Sequence, residues 1–262
     1  MFSSCFASDT SHWKVQRLIK NPDDFLACEA LLRKHFARLK KIFIVQASKS
    51  GFPTINWINS ADFIRDCNCL DSNVIQTTVD RLFIATNQEL EKSEENPANA
   101  LERYEFMEFL ARIAEKKFKE PKICKTYTEA VEKLLEEHIF KLGDKEDWQE
   151  FRDEKLWTID VNDVFEANLA DLQRIYAMYF APRKKYMDMK DALKFLMKDT
   201  NLKLIEKDAV FCYGMCKMTV DKEHEKNAEY FRLQFVEFLE MIGRVAHQKF
   251  RGTTMSEEPL AK

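Results

Sequence analysis

Glycine and proline are scarce, five and six in 262 residues. A turn-rich β fold needs both at its corners, so their shortage favours helices. There is no charge excess: the net charge is -3. Nucleic-acid binders show a basic surplus, so that partner class is not expected. No apolar run approaches the roughly 18–20 residues of a membrane span, and no membrane partner is expected. The opening MFSSCFASDTSHWK has neither a basic start nor a long apolar stretch, so no signal peptide is expected. Cysteines number seven, an odd count without a C-x-x-C pair; Cys67/Cys69 and Cys212/Cys216 are the close neighbours. They read as reduced thiols of a cytosolic compartment. Catalytic motifs are missing too: no G-x-S-x-G, no phosphate-binding glycine loop, no H-E-x-x-H, and five scattered histidines. The expectation is a protein without catalytic residues, metal ligands or cofactor. Cys67 and Cys69 lie near a helix end, where a thiol pKa can fall, but inert thiols are expected.

What the chain does have is repetition. LERYEFMEFLARIAEKKF (101–118) returns as LQFVEFLEMIGRVAHQKF (233–250), with eight of eighteen positions identical. The offset of 132 also relates Ile55 to Met187, Asn59 to Asp191 and Phe63 to Phe195. At 133 it relates Phe36 to Leu169, Leu39 to Leu172 and Ile42 to Ile175. Self-similarity at this distance marks an internal duplication of a four-helix lobe.

Apolar spacing places the helices of the first lobe at about 24–45, 57–68, 74–90 and 103–117. Asn21-Pro22-Asp23-Asp24 is a helix start, with proline early and acids in the first turn. The second lobe repeats the plan, beginning with one helix at about 162–180 that carries Phe165, Leu169, Leu172, Ile175, Tyr176 and Met178. The resulting organisation is an extended N-terminal arm (1–23), a first lobe (24–118), a helical linker (119–160) too apolar for a free tether, a second lobe (161–251) and a tail (252–262).

The close of each repeat follows a known grammar. In an EF-hand, position 8 of the loop is an aliphatic residue whose backbone pairs with the neighbouring loop, and position 12 is a Glu opening the exit helix. Leu101 with Glu105, and Leu233 with Glu237, fit it; Ile55 with Asn59, and Met187 with Asp191, are weaker versions. The fold class expected is all-α: two EF-hand-type helix–loop–helix pairs with short loop–loop β-bridges and a helical linker. Calcium ligands are another matter. SKSGFPTINWIN contains no acid; APRKKYMDMKD puts Arg183, Lys184 and Lys185 where a cation would sit; EENPANALERYE lacks glycine; KNAEYFRLQFVE has almost no early ligands. Glu105 and Glu237 read instead as acids favoured at helix starts.

The residues INWINSADFIRDCNCLDSN, VDRLFIATNQE, ENPANALERYEFMEFLARIAEKKF and YTEAVEKLLEEHIF together resemble the EF-hand-pair proteins of cilia and flagella, best over about 50–140. Small proteins on the luminal wall of doublet microtubules belong to that group. The resemblance implies a non-catalytic structural protein of the axoneme, with calcium loops largely lost. The implied partners are tubulin, neighbouring axonemal proteins and further copies along the lattice. Tubulin is acidic, so basic clusters are the candidate contacts: Arg33, Lys34, Arg38, Lys40 and Lys41; Lys116, Lys117 and Lys119, with Lys122 and Lys125 beyond; and Arg183, Lys184 and Lys185. The arm and the tail are candidates for threading onto neighbours. Two other readings stay open on the residues: a calcium-sensing EF-hand regulator, and a soluble cytosolic adaptor.

The missing ligands predict that calcium up to millimolar concentration leaves the thermal midpoint of the purified protein unchanged; a rise of several degrees would contradict it.

Overall fold

The computed structural model describes residues 2–88, 99–145, 148–180 and 184–261. The protein is all-α, mostly helical, with two small two-stranded sheets among the described residues. Contacts divide it into two compact units: Met1–Glu146 with Val220–Asn227, and Asp147–Thr219 with Ala228–Lys262.

In the first unit, α1 (Phe2–Ser11) precedes α2 (Pro22–Ser48). The Asn21 side chain caps α2 by accepting from the amides of Asp23 (2.9 Å) and Asp24 (3.2 Å), with Pro22 behind it. Strand β1 (Ile55–Asn56) leads into α3 (Trp57–Asp66), which is followed by α4 (Gln76–Asn87). Strand β2 (Ala100–Leu101) leads into α5 (Arg103–Ala114), which widens into i→i+5 turns over Glu115–Lys119. Helix α6 (Tyr127–Leu134) widens likewise over Leu135–Gly143.

The second unit opens with the single turn α7 (Trp148–Glu150) and wide turns at Phe151–Leu156. Helices α8 (Ile159–Ala167) and α9 (Leu169–Met178) follow. Strand β3 (Met187–Asp188) leads into α10 (Met189–Lys194), then comes α11 (Glu206–Cys216). The short helix α12 (Glu223–Lys226) belongs to the first unit. Strand β4 (Arg232–Leu233) and α13 (Phe235–Phe250) complete the second.

Each sheet joins two loops. β1 pairs antiparallel with β2, Ile55 opposite Leu101; β3 pairs antiparallel with β4, Met187 opposite Leu233. All four side chains are buried, and they are the four residues singled out for loop pairing from spacing alone. The cores repeat as well. Phe106 meets Phe63 with ring centroids 5.8 Å apart, and their repeat partners Phe238 and Phe195 meet at 5.8 Å. Phe43 adds to the first cluster, and Tyr176 and Phe235 to the second.

Several expectations need correction. The N-terminal arm is not extended. It forms α1, which buries Cys5 and Phe6; Phe6 sits edge-on against Phe36 at 5.2 Å, and apolar contact outweighs the freedom of a loose end. The single helix expected at 162–180 is two helices, broken at Asn168; of its apolar residues Tyr176 is buried while Leu169 and Met178 are exposed. The tail is not a free thread: Leu260 and Ala261 pack against the cluster of Phe151, Leu156, Val161 and Phe165 in their own unit. Most of the acidic loop EKSEENPANA lies outside the described residues.

The Tyr176 hydroxyl donates to the Leu233 carbonyl at 2.7 Å in the buried interior, tying α9 to β4. Tyr176→Phe leaves that carbonyl without this donor and is expected to cost about 1–2 kcal/mol, read as a lower urea midpoint at unchanged slope.

Candidate interaction site

Both exit helices begin the same way. The Glu102 amide donates to the Glu105 carboxylate at 3.0 Å, and the Gln234 amide to the Glu237 carboxylate at 2.8 Å. These acids satisfy backbone donors that the helix itself leaves open. Glu237 also accepts from the Met218 amide (2.9 Å) and from Lys217 Nζ (2.6 Å). Its two oxygens therefore hold three donors in the interior. Among the described residues, no group of three or more His, Cys, Asp or Glu is arranged to hold a metal ion.

One residue along from Glu102 stands a fully buried cation of the first unit. Arg103 is 1% exposed. Its guanidinium donates to both Asp9 oxygens at 2.7 Å, pairs with Glu223 at 3.0 Å, and donates to the carbonyls of Val220 and Asp221. The planar fork suits this task, since it offers five donors in fixed directions. The Arg103 amide bonds Glu223 as well, at 3.0 Å. Beside it, His224 Nδ1 lies 2.8 Å from Glu102, with the His12 ring 4.2 Å away. Ser4 donates to Asp221 at 2.9 Å. This network fastens α1 and the 220–227 segment to the start of α5. Sequence reading passed over it; the available signal was Arg103 itself, a cation at a helix start where the other repeat has Phe235.

The second unit buries a different set. Glu240 accepts from Arg152 at 2.8 and 2.9 Å and from Arg244 at 2.8 Å. Glu240 and Arg244 repeat Glu108 and Arg112, which are paired at 2.7 Å. An i,i+4 pair thus recurs on the same face of both exit helices.

The sequence-derived basic clusters do not form one surface. On α2, Lys40 is buried, while Arg38 and Lys41 both pair with Asp144; Arg38 also lies over the Phe140 ring at 4.0 Å. Arg33 and Lys34 stay exposed around a shallow groove with Leu26 and Ala30, and Arg33 pairs with Glu29 at 3.0 Å. In the second cluster Lys117 is buried against Asp71 and the Cys69 carbonyl, Lys116 pairs with Glu120, and Lys119 lies over the Tyr127 ring at 5.5 Å. Lys122 and Lys125 are exposed. In the third, Lys184 pairs with Asp188 at 2.7 Å and Lys185 is exposed; Arg183 lies outside the described residues. As surface contacts, Lys40 and Lys117 are corrected, because packing takes both out of solvent; Arg38 stays exposed and Lys41 half-buried, each paired with Asp144.

All seven cysteines are buried and unbridged. Burial pushes the thiols of Cys67 and Cys69 up to about 12, away from the reactive range. An open cleft in the second unit is walled by Thr158, Val161, His247, Phe250 and Leu260. Leu260 comes from the docked tail, so the chain furnishes part of that wall itself.

Compared with protein-family models, with curated proteins and with solved structures, the chain matches none.

Burial pushes the Asp9 carboxyl up to about 6, against the pull of the Arg103 guanidinium. The folded state then holds a proton that the unfolded chain, near 4, has released. Asp9 therefore favours folding below about pH 4, and that contribution is lost as the pH rises through about 6. Relative to Asp9→Asn, the wild type should lose on the order of 2 kcal/mol between pH 4 and 6.5 in urea titrations. A difference that stays flat with pH would contradict it.

Proposed function

We propose that the chain is a non-catalytic structural protein of the ciliary or flagellar axoneme. In this reading it binds the tubulin lattice, inside doublet microtubules, through two EF-hand-type pairs that no longer answer to calcium. The observation that carries the EF-hand-type part is the register of the two sheets. Ile55 opposite Leu101 and Met187 opposite Leu233 are the pairings that position 8 makes between the loops of a pair of hands. The repeated contact of Phe63 with Phe106 and of Phe195 with Phe238 supports it, because it places the same residues of two lobes in the same packing.

Loss of calcium control is supported by Glu237. In a working hand this position reaches into the loop; here its oxygens are taken by Gln234, Met218 and Lys217. A loop closed by an internal lysine is a fixed joint, and a unit built on fixed joints presents one face at all calcium levels. A protein that repeats along a polymer needs such a face, since many modest contacts multiply along the lattice. The axonemal assignment rests on the resemblance of residues 50–140. For an acidic tubulin surface, the exposed Lys34, Lys122, Lys125 and Lys185 are candidate contacts, with Arg33 exposed beside Leu26 but paired with Glu29. Tubulin, neighbouring axonemal proteins and further copies of the chain are the partners in this proposal.

Fractionation of isolated cilia tests it. Extraction with detergent, then high salt, then a harsher detergent that frays doublets should release the protein only in the last step. Release with the membrane and matrix fraction, or absence from cilia, would overturn the lattice reading in favour of a soluble adaptor.

A further inference from the structure

The carboxylates around Arg103 outnumber its charge. Asp9 takes the guanidinium across both oxygens at 2.7 Å, and Glu223 pairs with it at 3.0 Å. Both acids are buried, as is Arg103. The Asp221 carboxylate stands near enough to act on Asp9 too, and the Asp221 carbonyl accepts from Arg103. One guanidinium thus faces three acids, two of which water hardly reaches.

These acids come from different elements. Asp9 lies on α1, whereas Asp221 and Glu223 belong to the 220–227 segment, whose one helix, α12, is four residues long. Closing the segment onto α1 therefore brings like charges together. Hydrogen bonds from Cys5 and Ser4 hold the Asp221 carboxyl below the usual carboxylate range. Asp9 goes the other way. Burial first, then the charges of Glu223 and Asp221, outweigh the pull of Arg103 and leave it at about 6. A proton on Asp9 removes its repulsion from both acids of the segment, and its second oxygen still accepts from Arg103.

The other groups at this contact are few. On α1, Cys5 is pushed up to about 11 by burial and stays a thiol. His224 Nδ1 lies 2.8 Å from Glu102, and its ring meets His12 at 4.2 Å and Tyr104 at 5.7 Å. Lys222, Glu225 and Lys226 are exposed, and Lys222 pairs with Glu225.

We propose that residues 220–227 are a proton-operated clasp: they fasten to α1 and to the start of α5 when Asp9 is protonated, and loosen when it ionises. Linkage gives the sign. Fastening raises the proton affinity of Asp9, so protons favour the fastened state by the same factor. The clasp is tight in mild acid and loosens as the pH rises through about 6. The opening is local, and the rest of the unit stays folded. Nothing in it depends on cilia or tubulin, so the clasp and the axonemal reading fail separately.

Amide hydrogen exchange on the full chain tests it, corrected for the intrinsic effect of pH on exchange. The Arg103 amide donates to Glu223 at 3.0 Å and the Lys226 amide to the Lys222 carbonyl at 2.9 Å, so both report on the segment. Their protection should fall about five- to tenfold between pH 5 and 6.5. At every pH it should stay below that of Leu110, buried in α5, whose amide opens only on global unfolding. Asp9→Asn should flatten the profile. Glu223→Gln keeps an acceptor for the Arg103 amide but removes a like charge, and should reduce the slope. His224→Gln should leave the slope in place. A flat wild-type profile, protection equal to that of Leu110, or a slope that survives Asp9→Asn would overturn the clasp. So would a slope that His224→Gln abolishes, since the contact with Glu102 would then be the switch. If Asp9→Asn does not fold, Glu223→Gln decides, and an unchanged slope there overturns the clasp.

Discussion

Each unit hangs on two residues of backbone pairing. Ile55 against Leu101, and Met187 against Leu233, close the loops onto one another. The strands are too short to be stable by themselves. They hold because the residues that pair also point their side chains into the core. Each strand runs directly into a helix, Trp57–Asp66 and Arg103–Ala114 in one unit, Met189–Lys194 and Phe235–Phe250 in the other. The bridge therefore sets the positions of two helix starts at once. The contacts of Phe63 with Phe106 and of Phe195 with Phe238, one turn or more along those helices, follow from it.

Around that shared frame the units solve their polar problems differently. The first buries Arg103 among Asp9, Glu223 and two carbonyls; the second buries Glu240 between Arg152 and Arg244 and closes Glu237 with Lys217. Such groups contribute little net stability against an apolar substitute, yet removing one partner is costly because the other stays behind charged. Their effect is to specify. Arg103 accepts one arrangement of α1 and of the 220–227 segment, since its five donors must all be met.

Much of the fold was legible beforehand. The duplication, the helix starts at Asn21, the pairing residues of the loops and the helix-start acids Glu105 and Glu237 are all written in short stretches, and short-range chemistry governs them. The candidate site was legible only in part. Basic runs on α2 and after α5 looked alike on paper, but Arg33, Lys34 and Arg38 are exposed while Lys40 and Lys117 are buried and Lys41 is half-buried against Asp144. Asp144 reaches Arg38 and Lys41, Asp71 reaches Lys117, and no local pattern announces either approach.

The same limit explains the errors at the arm and at residues 162–180. Amphipathic periodicity says that a face is apolar, not whether anything covers it. Phe36 and Leu169 occupy equivalent places, yet one lies under Phe6 of α1 and the other is exposed. By itself the sequence determined the periodic and capping features, because a helix start or a strand pair is decided by residues a few positions apart. Tertiary structure alone decided which charges are spent and which apolar stripes are left open. Asp9 and Arg103 stand 94 residues apart, and Arg103 and Glu223 stand 120 apart. Contacts at that range exist only once packing has removed both groups from water, and burial is a property of the assembled chain rather than of any segment of it.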